Sequence, residues 1–269
     1  MQWRSKRYQQ GRENADEAMA VIGSGNAYAS HGGVAVSGIM HADEFTVVQH
    51  RLPREPADWP HQVGVVPSGA QAFQDRSEGH ELRTALEHGG AVILTGMGGA
   101  GKTQLAASYA RTAWHDEGID ILIWVTASDR SAIVSSYAQA GVELCRADMD
   151  DPERAAETLL AWLATPKGTT PCKWLVVLDD VGDSDDMRGL WPPPNPCGRT
   201  VVTTRRRDAA LTAAARQTIE VGVFSPAQAA AYLTECLSIH RREEPGEQLA
   251  GLVADLGHLP LAGEPGPGR

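Results

Sequence analysis

Lysine is nearly missing from this chain of 269 residues: it stands only at Lys6, Lys102, Lys167 and Lys173, and all other fixed positive side chains are arginine. Basic residues number 24 against 34 acidic ones, a net charge of −10. A general affinity for nucleic-acid phosphates or anionic lipid is thereby excluded unless a local patch works against the overall field. Cysteine is also sparse. The four, Cys145, Cys172, Cys197 and Cys236, form no C-x-x-C pair and keep no regular spacing, so neither a zinc site nor a disulfide framework is encoded. Apolar runs of the roughly 18 residues that a membrane span needs are absent, and no apolar stretch follows the basic opening Arg4-Ser5-Lys6-Arg7. The expectation is a soluble, cytoplasmic protein with reduced thiols and no membrane partner. What is present is a 42% hydrophobic composition, enough for one large domain or two small ones.

The texture changes along the chain. Residues 1–62 are rich in Gly, Ser, Ala and His, with Gly23, Gly25, Gly32, Gly33 and Gly38 breaking any helical period, and Pro53, Pro56 and Pro60 closing the stretch. This predicts a poorly ordered arm and linker, with one short strand at most, over residues 34–36. From residue 63 onward, short apolar runs alternate with helical segments, the pattern of a parallel α/β sheet. Five runs qualify, over residues 91–95, 121–125, 174–178, 200–204 and 218–221. Between them, Leu105, Tyr109 and Ala113 keep helical spacing, and Asp151-Pro152 opens a helix carrying Ala156, Leu159, Leu160 and Leu163. After the last strand the pattern becomes purely helical. Ser225-Pro226 starts a helix burying Ala230, Leu233 and Leu237, and Leu249, Leu252, Val253 and Leu256 form a further apolar stripe. The expected domains are an arm over 1–62, an α/β domain over 63–221, a partial helical lid over 222–262 and a disordered tail over 263–269. No internal repeat is visible.

One lysine falls inside a motif. Gly96-Met97-Gly98-Gly99-Ala100-Gly101-Lys102-Thr103 fits G-x-x-x-x-G-K-[ST], directly after the first strand and at the start of a helix. The glycines let successive N–H groups curl around an anion, a lysine there reaches the β and γ phosphates, and the threonine hydroxyl is a magnesium ligand. A phosphate site of this kind needs an acidic residue at the end of a buried strand to hold magnesium through water, and Asp179 follows the run 174–178. The next residue, Asp180, is placed to orient or deprotonate an attacking water, or else serves as a turn residue before Gly182. Asp179-Val181-Gly182 also fits D-x-x-G, so guanine has to be weighed. None of the lysines follows an asparagine, so an N-K-x-D guanine reader is missing and ATP is favoured over GTP.

The strand after the acidic one ends in Thr203-Thr204-Arg205. In the additional-strand branch of P-loop ATPases that strand is inserted beside the P-loop strand, giving the order 5-1-4-3-2 in a three-layer sheet. Arg205 would then reach the γ-phosphate. The alternatives for Arg205-Arg206-Arg207 are a solvated basic turn or a small nucleic-acid patch.

Together these residues resemble the NB-ARC module of STAND ATPases. The resemblance rests on residues 96–103, on L-V-V-L-D-D-V over 175–181, on V-V-T-T-R over 201–205, and on Gly257-His258-Leu259-Pro260-Leu261-Ala262, which is similar to the family's G-L-P-L-A. Phe73-Gln74-Asp75-Arg76 is similar to the family's h-h-G-R-E-x-E segment, with Asp75 where glycine is usual. The family implies an ADP/ATP switch with slow, magnesium-dependent hydrolysis and nucleotide-dependent homo-oligomerisation. Carried onto this chain, residues 96–103, Gln104, Arg76 and Pro260 bind the nucleotide, with Pro260 near the adenine. Thr103 and Asp179 hold magnesium, Asp180 positions water, and Lys102 and Arg205 act on the phosphates. Pro260 also fits a simple helix start after Gly257. Beyond Ala262 the sequence turns to Gly263-Glu264-Pro265-Gly266-Pro267-Gly268-Arg269. The expectation is an actinobacterial-type member truncated before the family's winged helix and repeats. The competing functions are a fast P-loop ATPase or small-molecule kinase, and a fragment that binds nucleotide without signalling.

Overall fold

Each of the five apolar runs forms a strand, and a sixth strand lies ahead of them. The computed structural model describes residues 57–70, 72–74, 76–165, 172–212, 216–239, 249 and 251–253. The expected strand over 34–36, Asp75, Leu256, Pro260 and the 263–269 tail lie outside those residues. The strands are β1 (His61–Val63), β2 (Gly90–Thr95), β3 (Ile121–Thr126), β4 (Trp174–Val181), β5 (Gly198–Thr204) and β6 (Gln217–Glu220). The helices are α1 (Ser77–Ala85), α2 (Lys102–Asp116), α3 (Arg130–Cys145), α4 (Pro152–Ala164), α5 (Ala209–Thr212) and α6 (Pro226–Ile239).

All pairings are parallel and the order is β1-β3-β4-β5-β2-β6. Counted from β2 as the first strand, this is the expected 5-1-4-3-2 with β1 added at the far edge. The added strand, His61-Gln62-Val63, carries no apolar run and begins on the arm side of the expected 62/63 boundary. It pairs His61 with Ile121 in register, and His61 Nε2 stands 2.7 Å from Glu143 Oε2 on α3.

Side chains alternate across the sheet, as strand geometry requires. Ile121, Ile123, Trp174, Val176 and Leu178 face α3 and α4, where they meet Ile133, Tyr137, Leu159 and Leu163. Leu122, Trp124, Leu175 and Val177 face α1 and α2, meeting Leu82, Leu105, Tyr109 and Ala113. Both faces are therefore covered, which explains why the strands read as unbroken apolar runs. The helix starts follow their capping residues. Asp129 accepts from Ala132 N at 2.9 Å and Asp151 from Arg154 N at 3.1 Å. At α6, Ser225 Oγ accepts from Gln228 N at 3.2 Å while Gln228 Oε1 accepts from Ser225 N at 2.9 Å, a reciprocal capping box.

A third apolar cluster joins Ala72, ahead of α1, to Phe224, Tyr232, Leu233, Leu249 and Val253, which follow β6. Leu252, read from its spacing as part of the apolar stripe, is 44% exposed, so among the described residues Leu249 and Val253 are the buried members of that stripe. Among the described residues no helix is long and apolar enough to cross a membrane.

Candidate functional site

In a parallel sheet the strand ends that face a ligand are the carboxyl ends, where the chain changes direction between strands. β2 leads through α2 to β3, across β5 and β4, while β6 lies on its other side. The loop between β2 and α2 fills that position. Gly96 leaves the strand at φ +148°, and a Cβ there would stand 2.3 Å from the Val221 carbonyl oxygen. Only glycine satisfies both demands. Gly101, at φ +91°, is the N-cap of α2, so the helix starts with its free N–H groups turned toward the loop.

Lys102 closes the loop. It is buried, and Nζ donates to Gly96 O at 2.9 Å and Met97 O at 2.8 Å. An ammonium has three donors, so these two bonds hold the loop without exhausting the group. Burial and the nearby Arg205 push the lysine below its ordinary pKa of 10.5, opposed by Asp180 and Asp179.

The two carboxylates come from the end of β4, beside β5. The ladder is regular from Trp174↔Gly198 to Leu178↔Val202, then slips before Val181↔Thr204. Asp179 and Asp180 occupy the slip, with Asp180 at φ +60°. Asp179 Oδ1 accepts from Thr103 Oγ1 at 2.8 Å and from Thr203 Oγ1 at 2.6 Å. Thr203 Oγ1 also accepts from Asp180 N at 2.8 Å. Asp180 turns outward and its Oδ2 meets Arg205 Nη2 at 3.3 Å. Arg205 lies over the loop: a Cβ on Gly98 would be 3.9 Å from its Nη1.

The arrangement thus brings Lys102, Thr103, Asp179, Asp180 and Arg205 to one place. The hydroxyl of Thr103 and one carboxylate, both hard oxygen donors, suit magnesium, which takes one or two carboxylates together with phosphate oxygens and keeps several waters. The other arginines of the turn each face an acid, Arg206 with Asp183 at 3.6 Å and Arg207 with Glu220. The three-arginine turn is therefore locally balanced in charge.

Beside the loop lies an open cleft lined by Ala70, Ala72, Phe73, Gln74, Arg76, Gly101, Gln104, Leu105, Phe224 and Tyr232. Gln104 and Arg76, two expected site residues, sit in its wall. Gln104 Oε1 accepts from Ala70 N at 3.0 Å, tying the segment before α1 to the start of α2. Arg76 Nη1 donates to Ala100 O in the loop and to Gly222 O beyond β6, both at 3.1 Å, and its guanidinium stacks 4.1 Å from the Phe224 ring centre. Its burial lowers its pKa, with Glu78 opposing.

Pro260 lies outside the described residues. Sequence reasoning missed Thr203, Phe224 and Tyr232. The T-T-R triplet was the available signal for Thr203. For the two aromatics there was none beyond apolar spacing.

The sheet order and the glycine-lysine loop define the chain as a P-loop NTPase fold. Residues 79–240 match the NB-ARC domain model, and the chain belongs to that family. Among the solved structures similar to it are three chains from Pyrococcus and Pyrobaculum. A signal transduction ATPase with numerous domains, carrying a tetratricopeptide-repeat sensor, from Pyrococcus horikoshii has 18% identity and a TM-score of 0.49 over 73% of this chain and 30% of its own. A Walker-type ATPase of Pyrococcus abyssi has 13% identity and a TM-score of 0.45 over 71% of this chain and 66% of its own. Cdc6p of Pyrobaculum aerophilum has 15% identity and a TM-score of 0.48 over 69% and 58% respectively. The chain thus spans less than a third of the first of these proteins and about two thirds or less of the others. No curated protein matches it.

Proposed function

We propose that this chain is an ADP/ATP-binding switch module that hydrolyses ATP slowly with magnesium. The observation that carries the reading is the convergence of Lys102, the Thr103–Asp179 hydrogen bond and the Asp180–Arg205 pair around one glycine-rich loop. In this reading the N–H groups of residues 96–104 cradle the phosphates, and Lys102 exchanges a loop carbonyl for a phosphate oxygen. Thr103 and Asp179 hold magnesium, whose role when bound is to neutralise phosphate charge.

Arg205 and Asp180 act as a pair. Their side chains are 67% and 52% exposed, and ion pairs so exposed contribute only about 0–1 kcal/mol. A γ-phosphate therefore competes readily with Asp180 for Arg205. Asp180 released in this way is positioned to accept a proton from water. ADP offers no γ-phosphate, so Arg205 stays with Asp180, and the two nucleotides become distinguishable at a surface position.

The cleft beside the loop takes the nucleoside. The sequence has no N-K-x-D to read a guanine ring, which supports the adenine assignment. Residues 63–221, together with His61 and Gln62 of β1, form the nucleotide domain and 222–262 the lid, with Pro260 assigned to the base. The triphosphate state favours homo-oligomers, and the protein works in the cytoplasm. The test is steady-state ATP turnover together with light scattering in ATP and in ADP. Turnover well below about 1 per second, with larger particles in ATP than in ADP, is expected. Turnover well above that rate, with no change in size, would instead identify a fast ATPase.

A further inference from the structure

We propose that Thr203 is a positioning residue that fixes both carboxylates of the site at once. The inference rests on the nucleotide-and-magnesium reading above. Thr203 is 1% exposed, near the end of β5, and its hydroxyl is engaged on both sides. Its one hydrogen goes to Asp179 Oδ1 at 2.6 Å, and its oxygen receives the Asp180 N–H at 2.8 Å. With both partners fixed, the hydroxyl cannot rotate, and neither can what it holds.

The first consequence concerns Asp179. Its Oδ1 has two hydroxyl donors, Thr103 and Thr203. Thr103 is the hydroxyl that the proposed reading gives to the cation. Thr203 is then the donor that keeps the carboxylate aimed.

The second concerns Asp180, which stands where the β4–β5 ladder slips and adopts φ +60°. That conformation is unfavourable for most residues, and aspartate tolerates it better than most. The slip removes the ladder's own partner for the Asp180 N–H, and Thr203 supplies one. The outward turn that brings the Asp180 carboxylate to Arg205 is therefore held by the same oxygen that aims Asp179. Valine has nearly the shape of threonine and suits a buried strand, but it carries no hydroxyl. The methyl of Thr203 fills the sheet and its hydroxyl serves the site.

The test uses the full chain and thermal unfolding. ADP is titrated in EDTA, and Mg²⁺ is titrated at saturating β,γ-imido ATP. Thr203→Val is expected to raise the Mg²⁺ midpoint roughly tenfold, the size of one charge-assisted hydrogen bond. ADP affinity in EDTA should stay within about threefold of wild type, because the loop holds the phosphates. Thr203→Ser should behave as wild type. Should Thr203→Val not fold, Thr203→Cys, with a weaker donor and acceptor of similar size, is expected to raise the midpoint in the same direction. An unchanged Mg²⁺ midpoint in the folded variant, or a loss in EDTA as large as the loss with Mg²⁺, overturns the role of Thr203. A wild-type chain that binds neither ADP nor the analogue overturns the nucleotide reading itself, which separates the two failures.

Discussion

The two halves of the site are built differently. The phosphate half stands on strand ends and on the first turn of a long helix: Gly96 is locked against Val221, Lys102 is tied to the loop, and Asp179 is held by Thr103 and Thr203. The other half is assembled from the segment before α1 and the elements after β6, brought together by Arg76 and by a separate small core around Phe224 and Tyr232. The first half owes its shape to the sheet, whereas the second depends on contacts between segments about 150 residues apart. Phosphate binding should therefore survive damage to the lid, while recognition of the base should not.

The largest effect tests the rigid half. Lys102→Ala removes the only cation inside the loop, and it should abolish the stabilisation by ADP that a thermal-shift assay reads. At 100 times the dissociation constant that stabilisation is about 2.7 kcal/mol in the wild type. An unchanged shift would separate the loop from nucleotide altogether.

Next comes the other half. Phe224→Ala empties part of the cleft wall and takes away the ring on which Arg76 stacks. ADP affinity should fall roughly tenfold, about 1.4 kcal/mol, while affinity for inorganic pyrophosphate stays the same. Equal losses for both ligands would erase the distinction between the halves. A smaller effect follows from the α6 cap: Ser225→Ala should cost about 1 kcal/mol of lid stability, seen as faster amide exchange in α6 with no change in β2 or α2.

The smallest effect is on pH. Burial and Arg205 hold Lys102 below its ordinary pKa in the free protein. Anion binding needs the charged form, so affinity is fully present below that lowered pKa and is lost as pH rises through it. ADP affinity should begin to weaken at a lower pH than an ordinary lysine of pKa 10.5 predicts.

The same contrast explains what could be read from sequence. Strands buried on both faces betray themselves as apolar runs, so β2 to β5 were legible. β6, an edge strand with only Ile219 buried, showed as a short alternation, and the order followed from the P-loop branch that the motifs indicate. β1, three residues of mixed polarity at an edge, was not legible. The loop was legible because close approach of backbone to an anion demands glycine and a cation at fixed spacing. Thr203 was hidden because a threonine in a strand looks like any β-branched residue; its hydroxyl acquires meaning only where the ladder slips and Asp180 needs an acceptor. Phe224, Tyr232 and Ala72 were hidden for another reason. They are ordinary apolar residues whose convergence depends on how the segment after β6 packs back onto the segment before α1. Leu252 shows the limit of periodicity, since it keeps helical spacing and still faces solvent.

The account's central claim is that the loop and the cleft beside it bind an adenine nucleotide. Calorimetric titration of the purified chain with ADP and, separately, with GDP, both with Mg²⁺, tests it most directly. Saturable one-to-one binding of ADP and much weaker binding of GDP is the predicted result. No binding of ADP, or equal affinity for GDP, would contradict it.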